Sequence, residues 1–327
     1  MQYGLIGRHL PHSFSGIIHG LIGRYTSDNY EYNIHELEPE ELDDFLVSKD
    51  FKGINVTIPY KEKVIPYLDY IDDAAKAIGA VNTIVNKDGK LYGYNTDYYG
   101  LRDLVIHTGI DLNGKKVTIL GTGGTSKTAR YVCKSLGAGS IVIVSRSKPD
   151  SDTDNTDSLY SYCTYEEVYD KHSDTDVIIN TTPVGMYPNA GSSAVDINRF
   201  NRLCGVIDVI YNPLKTSLIL DALDMNIPCN GGLRMLVTQA VYAYKLFMGK
   251  SVEDADIPDI ICKVYKEVYA DKLNIVLIGM PGCGKSTVGR RLNEVCNKEL
   301  VDTDALIVDK ESWISCLVAN LASAIYG

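Results

Sequence analysis

The chain holds 327 residues, 45% apolar and 23% charged, an ordinary globular composition that argues against disorder, a collagen-like chain and a membrane bundle. At about 150 residues per domain, that length points to about two domains, with enough apolar material for more than one core. Lysine and arginine total 32 against 42 acids, a net charge of −10, which disfavours general nucleic-acid binding but leaves room for anionic small molecules held by local basic groups.

In chain order, strands are expected at Gln2–Ile6, Tyr30–Glu36 and Ile54–Thr57, with helices near Gly16–Tyr25, Glu38–Lys49 and Asp72–Ile78. Such alternation predicts an α/β fold with a mostly parallel sheet. From Lys115 the pattern sharpens. Strand Lys116–Leu120 leads into Gly121-Thr122-Gly123-Gly124 and a helix to about Leu136, and strands follow at Ile141–Val144, Val177–Asn180 and Val206–Val209. Ser147–Ser158, rich in Ser, Asp, Thr and Asn, reads as an exposed loop. Helices are expected at Leu233–Met248 and Ile260–Ala270, packing back on a first domain that is short of helices. A further strand, Asn274–Ile278, precedes a second glycine loop. The eight cysteines (133, 163, 204, 229, 262, 283, 296 and 316) show no CxxC pair, which fits reduced thiols in a cytoplasmic protein. Met1–Pro11 has no apolar run of the signal-peptide kind, and Trp313–Tyr326 is shorter than the ~20 residues that span a bilayer, so no membrane partner is expected.

The first loop, Gly121 to Ser126, lies between a strand and a helix, the setting that gives GxGxxG its meaning. Gly121 permits the tight turn, Gly123 lets backbone approach a pyrophosphate, and the helix N-terminus offers free N–H groups. The third glycine is replaced by Ser126, which is small. After the second strand, where an NAD site usually places an acid, stand Ser145, Arg146, Ser147 and Lys148. Arg146 and Lys148 would pair with a 2′-phosphate, so NADP is favoured over NAD; the alternative is that both are solvated loop charges. The second loop, Gly279-Met280-Pro281-Gly282-Cys283-Gly284-Lys285-Ser286 followed by Thr287, spells a P-loop. In such a loop Lys285 would reach phosphates and Ser286 would hold Mg²⁺ with ATP. A P-loop enzyme also needs further strands and a lid contribution, and the chain runs only to Gly327, so kinase activity is not expected.

Three polar segments fall near strand ends. Ser13 and Ser15 offer paired hydroxyls, although Ser15 can equally cap a helix. Asn55 and Thr57 share one strand face, with Lys61 just beyond. Asn82 and Asp97 sit among small residues. Singly, each reads as a cap or turn residue; their joint occurrence suggests a ligand site.

Together HSFS, GINVTIPYK, GAVNT, GYNTDYYG, GTGGTSKT, VSRSK, NTTPVGM, DVIYNPLKTSL and NGGLRMLVTQA, in that order, make residues 1–270 resemble the shikimate dehydrogenase family. Residues Asn274 to about Asp309, through GMPGCGKST and Val301-Asp302-Thr303-Asp304, resemble the start of shikimate kinase, with Asp302 near Mg²⁺. The resemblance implies an α/β substrate-binding domain over 1–98, completed by helices in 233–270. It implies a Rossmann-type NADP-binding domain over 99–232 and a partial P-loop βαβ fragment over 271–327. Lys61 and Asp97 would form the catalytic pair. Ser13, Ser15, Asn55, Thr57, Asn82, Tyr211 and Gln239 would bind the substrate, shikimate or 3-dehydroshikimate. Gly121, Thr122, Gly123, Gly124, Thr125, Ser145, Arg146, Lys148, Thr181, Met186, Ile210 and Gly232 would contact NADP(H). A monomer or homodimer is expected. Departures from the family pattern are Gly16 in place of a proline, His9 in place of another, and Phe247 in place of a tryptophan. Alternative readings are an NAD-using quinate/shikimate dehydrogenase, a bifunctional dehydrogenase–kinase, and a non-catalytic NADP-binding regulator.

Overall fold

The computed structural model describes residues 2–10, 13–28, 30–147, 158–249, 253–280, 282–296 and 299–303. The chain divides into two compact units, Met1–Lys272 and Leu273–Gly327.

The first unit carries two six-stranded sheets. The first contains β1 (Tyr3–Gly7), β2 (Tyr32–Glu36), β3 (Gly53–Val56), β4 (Tyr70–Ile71), β5 (Thr83–Lys87) and β6 (Lys90–Tyr94), in the order β2-β1-β3-β5-β6-β4. β1 pairs in parallel with both neighbours, and all five of its residues are buried, as an interior parallel strand requires. β5 and β6 form an antiparallel hairpin turned by Asp88 and Gly89, both at positive φ, the backbone that a tight two-residue hairpin demands.

Helices α1 (Ser15–Thr26), α2 (Leu42–Ser48), α3 (Asp73–Ile78) and α4 (Asp97–His107) accompany this sheet. One core joins Ile6, Ile54, Val56 and Ile84 to Leu42 and Leu46 of α2. The other face is covered from far along the chain, by α8 (Leu233–Met248) and α9 (Ile257–Lys272). Val237, Val241, Ile260 and Val264 pack there with Ile18 and Ile22 of α1. Phe247 lies against Gly53: a Cβ there would stand 2.3 Å from its ring.

The second sheet contains β7 (Lys116–Leu120), β8 (Ser140–Ser145), β9 (Tyr160–Thr164), β10 (Val177–Asn180), β11 (Gly205–Asp208) and β12 (Cys229–Asn230). All its strands are parallel, in the order β9-β8-β7-β10-β11-β12. That is the doubly wound dinucleotide-binding order, with its switch point between β7 and β10. The valine and isoleucine runs of β7, β8 and β10 are buried on both faces. Helices α4 and α5 (Gly124–Ser135) cover one side. Helices α6 (Glu167–Lys171) and α7 (Ser217–Asp224) accompany the other.

Helices α4 and α8 tie the two sheets together. A Cβ on Gly100 would stand 2.5 Å from the Met235 carbonyl oxygen, so glycine allows this close crossing. Arg234 donates to Asp103 at 2.7 and 3.3 Å, and Thr238 donates to the same carboxylate at 2.9 Å.

The second unit holds α10 (Lys285–Cys296) after its glycine loop. The strand expected at Asn274–Ile278 does not form. No described segment pairs with it, and Val276 and Ile278 are 78% and 89% exposed. A strand exists through its neighbours' hydrogen bonds, and an apolar run without such neighbours remains irregular. The described cysteines 133, 163, 204, 229, 262 and 283 form no disulfide with one another; burial pushes the Cys133 thiol up to about 12.

Candidate active site

A cavity of about 840 Å³ opens in the first unit beside the C-terminal end of β3. It is lined by Ser13, Ser15, Asn55, Thr57, Lys61, Asn82, Asp97, Tyr211 and Gln239, all nine of the catalytic and substrate residues expected from the sequence. The ends of parallel strands, where loops diverge, are where α/β folds form such crevices.

Lys61 Nζ donates to Asp97 Oδ2 at 2.6 Å, with the side chains only 24% and 13% exposed. Local structure fixes both partners. Tyr60, fully buried, donates its hydroxyl to the Leu37 carbonyl and anchors the turn that carries Lys61. The Lys61 carbonyl accepts from Val81 N–H at 2.8 Å. Asp97 opens α4, where the helix N-terminus favours a carboxylate. An ammonium and a carboxylate held this way can exchange a proton with a third group in the cavity.

A buried amide network lies beside the pair. Asn82 Oδ1 accepts from Thr96 N–H at 2.7 Å and from the Thr96 and Thr83 hydroxyls at 3.2 and 3.1 Å, which fixes the amide plane. Asn55 donates to Thr83 Oγ1 at 3.0 Å and the Asn82 carbonyl at 3.3 Å, and accepts from the Tyr32 hydroxyl at 2.8 Å. Asn55 therefore lines the cavity with both amide hydrogens already committed, and it braces Asn82. Behind it His19 stacks on Tyr32 at 3.8 Å, and burial drives its pKa down to about 3, so the imidazole is neutral. Gln239, on α8, donates to the Leu236 carbonyl at 3.0 Å, and its Oε1 lies 3.4 Å from Thr96 Oγ1. Ser15 N–H donates to Ser13 Oγ at 3.3 Å, and Ser15 starts α1 without serving as its side-chain cap. Burial raises the Tyr211 phenol, whose ring meets Phe14 edge-on at 5.3 Å.

The first glycine loop leaves β7 at the switch point. Gly121 has φ of +100°, and a Cβ there would stand 2.9 Å from Thr182 Cγ2, so both backbone and space require glycine. Thr122, Gly123 and Gly124 are exposed, and open space lies where the Cβ atoms of the two glycines would stand. The first-turn N–H groups of α5, beginning at Gly124 and Thr125, have no carbonyl within the helix to bond. Ser126 is buried against the sheet, filling the close-packing role of the third glycine. Ser145 ends β8, and exposed Arg146 follows it; Lys148 lies outside the described residues. Thr181 donates through N–H and hydroxyl to the Leu120 carbonyl at 3.0 and 2.6 Å. Met186 reaches the cavity wall. Gly232 N–H donates to the Ile210 carbonyl at 2.8 Å, and a Cβ on Gly232 would stand 1.9 Å from the Val209 carbonyl oxygen. An open glycine turn, free helix N–H groups and a cation after the second strand fit a dinucleotide carrying an extra phosphate.

One carboxyl organises this edge. Asp208 accepts from Thr216 Oγ1 at 2.7 Å, Ile210 N–H at 3.0 Å and Asn180 Nδ2 at 3.1 Å. Asn180 in turn accepts from Thr182 N–H and hydroxyl at 3.0 and 2.7 Å. Asp208 thereby links the loops carrying Met186 and Ile210, and burial pushes its pKa up to about 6.

The shikimate dehydrogenase substrate binding domain family matches residues 5–84. The shikimate dehydrogenase (NADP+) of Clostridium beijerinckii is 40% identical over 248 residues, covering 75% of this chain and 91% of the relative. The chain belongs to the shikimate dehydrogenase family. A crystal structure of shikimate dehydrogenase 1 from Peptoclostridium difficile matches with a TM-score of 0.74 at 36% identity, over 84% of this chain and 100% of that one. A shikimate dehydrogenase solved in complex with NADP+ matches with a TM-score of 0.70 at 32% identity, over 81% and 95%.

The same cavity is also lined by Phe14, Tyr187, Asn212, Leu236 and Lys272, which the sequence does not mark, and by His9, marked there only as a departure from the family pattern. Phe14, between the two serines, and Tyr187 and Asn212, beside residues already named, were within reach of a neighbourhood argument. Lys272 was not: it ends a helix read only as a packing element.

In the second unit a cavity of about 730 Å³ is lined by residues including Lys285, Ser286 and Asp302. Lys285 Nζ donates to the Gly279 and Met280 carbonyls at 2.8 and 2.9 Å, closing the ammonium onto its own loop. Thr287 N–H donates to the Gly284 carbonyl at 3.1 Å.

Proposed function

We propose that this chain catalyses the reversible reduction of 3-dehydroshikimate to shikimate, with NADP(H) as its cofactor. The observation that carries this reading is the Lys61–Asp97 pair at 2.6 Å, enclosed among the hydroxyls and amides of Ser13, Ser15, Asn82 and Gln239. The cofactor, when bound, supplies the hydride to the 3-carbonyl. Lys61 Nζ gives its proton to the oxygen of that carbonyl and recovers it in the reverse direction. Asp97 keeps the ammonium pointed into the cavity and offsets its partial desolvation. Ser13 and Ser15 bind the substrate carboxylate. Thr57, Asn82, Tyr211 and Gln239 orient the ring hydroxyls, and Asn55 acts through Asn82. Gly121 to Thr125 receive the pyrophosphate, Arg146 the 2′-phosphate, and Thr181, Met186, Ile210 and Gly232 border the nicotinamide.

In this reading the substrate domain is 1–98 with 233–270 and the NADP domain is 99–232. The enzyme works in the cytoplasm as a monomer or homodimer. Arg146 after β8 favours NADP over NAD, and the enclosed Lys61–Asp97 pair favours an enzyme over a binding-only regulator. Residues 271–327 resemble the opening of shikimate kinase but do not act as one: the segment before the loop pairs with no described segment, and Lys285 is engaged by its own loop carbonyls. Shikimate-dependent NADP+ reduction, followed at the NADPH absorbance, tests the dehydrogenase; ATP-dependent phosphorylation of shikimate by the same chain would contradict the reading of its C-terminal part.

A further inference from the structure

The substrate in the reading above is an anion, yet the groups assigned to its carboxylate, Ser13 and Ser15, are neutral hydroxyls. Of the charged side chains lining the cavity, Lys61 is balanced by Asp97 inside it. Lys272 is different. Its ion-pair partner, Asp271 at 3.4 Å, is not among the lining residues and is 64% exposed, whereas Lys272 is 35% exposed. Its Nζ sits 4.2 Å from the ring centroid of Phe14, the residue that separates the two serines. Phe14 is in turn braced edge-on by Tyr211.

The position of Lys272 is built into the fold. It ends α9, whose Ile257, Ile260, Ile261, Val264 and Val268 are buried against α1 and α8. Arg24 and Tyr25 of α1 both hold Glu267 on the same helix. Helix α1 begins at Ser15, whose N–H donates to Ser13 Oγ, so the partial positive charge of the helix N-terminus lies at the same end of the cavity. Two hydroxyls, a helix N-terminus and an ammonium held over an aromatic face together make an anion-seeking pole on an acidic protein.

We propose that Lys272 is a specificity-determining residue: it supplies the positive charge that selects and draws in the substrate carboxylate at Ser13 and Ser15. This rests on the dehydrogenase reading of the site. Because the part-exposed ammonium would act on the carboxylate, whose charge the hydride transfer does not change, it stabilises ground and transition states alike and acts on KM, not kcat.

The test compares full-length wild type, Lys272→Gln and Lys272→Arg, with shikimate and its uncharged methyl ester as substrates at saturating NADP+. Lys272→Gln should raise KM for shikimate about fivefold, leave kcat and the KM for the ester unchanged, and flatten the salt dependence of kcat/KM. Lys272→Arg should restore the preference for the acid. An unmoved KM for shikimate overturns the proposal. So does an equal rise for acid and ester, the mark of a lysine that merely supports the end of α9. Wild type failing to oxidise shikimate would overturn the functional reading instead. Calorimetric binding of the acid and the ester to the same proteins would then decide the role of Lys272 by the same pattern.

Discussion

Gly121-Thr122-Gly123-Gly124 leaves a strand paired on both sides and enters a helix buried against a six-stranded parallel sheet. Gly279 to Gly284 also runs into a helix, but residues 274–278 before it pair with no described segment and expose Val276 and Ile278. Both loops spell a phosphate-binding motif. A motif specifies what a turn can do once something holds it, and the holding comes from strands elsewhere in the chain. Around the first loop, β8 and β10 supply the frame, and Asp208 and Asn180 fix the neighbouring loops.

The sharpest way to break this comparison is at the chemistry that the framed unit serves. Lys61→Ala should lower kcat for shikimate oxidation by roughly 10²- to 10⁴-fold, with thermal midpoint and NADPH binding unchanged in parallel assays.

Asp208 tests the frame itself. Its pKa rises from 3.8 unfolded to about 6 in the fold, so between these values the folded chain holds more of this proton. The contribution to stability is complete below 3.8 and is lost as pH rises through about 6. His19 runs the other way, from 6.5 down to about 3, losing stability as pH falls. The two slopes oppose one another between about pH 4 and 6. Asp208→Asn keeps the side-chain shape and removes one slope. Its unfolding free energy relative to wild type should climb from pH 4 to 7 by roughly 3 kcal/mol, measured by urea denaturation. A constant difference across that range would contradict the assignment.

Arg146→Ala should raise KM for NADP+ by about 10- to 100-fold while leaving the KM for NAD+ nearly unchanged, because a charged hydrogen-bond partner of the 2′-phosphate is lost. Lys285→Ala, in the unframed loop, should leave shikimate oxidation unchanged, and a loss would show that the second unit takes part in the reaction.

Much of this was legible in the residues. The valine and isoleucine runs of β7 and β10 announced buried parallel strands with their observed bounds, and α8 was read end to end. The β5–β6 hairpin is marked in the sequence by Asp88-Gly89 alone, because Thr83–Lys87 and Lys90–Tyr94 mix polar and apolar residues without a clean strand alternation. Asn274–Ile278 differs for the opposite reason: its apolar composition is visible in the sequence, but whether a neighbour pairs with it is not, and no described segment does. At the site, hydroxyls and amides were recognisable by type and spacing. Their hydrogen-bond commitments were not: Asn55 gives both amide hydrogens to Asn82 and Thr83, which only the register of β3 against β5 reveals. Lys272 reaches the cavity through packing between α9 and α1, separated by most of the chain.

The most direct measurement of the central claim is a spectrophotometric assay of the full chain that crosses shikimate and quinate with NADP+ and NAD+. The highest kcat/KM is expected for shikimate with NADP+. A higher kcat/KM with NAD+ or with quinate, or tight NADPH binding without turnover of either substrate, would contradict it.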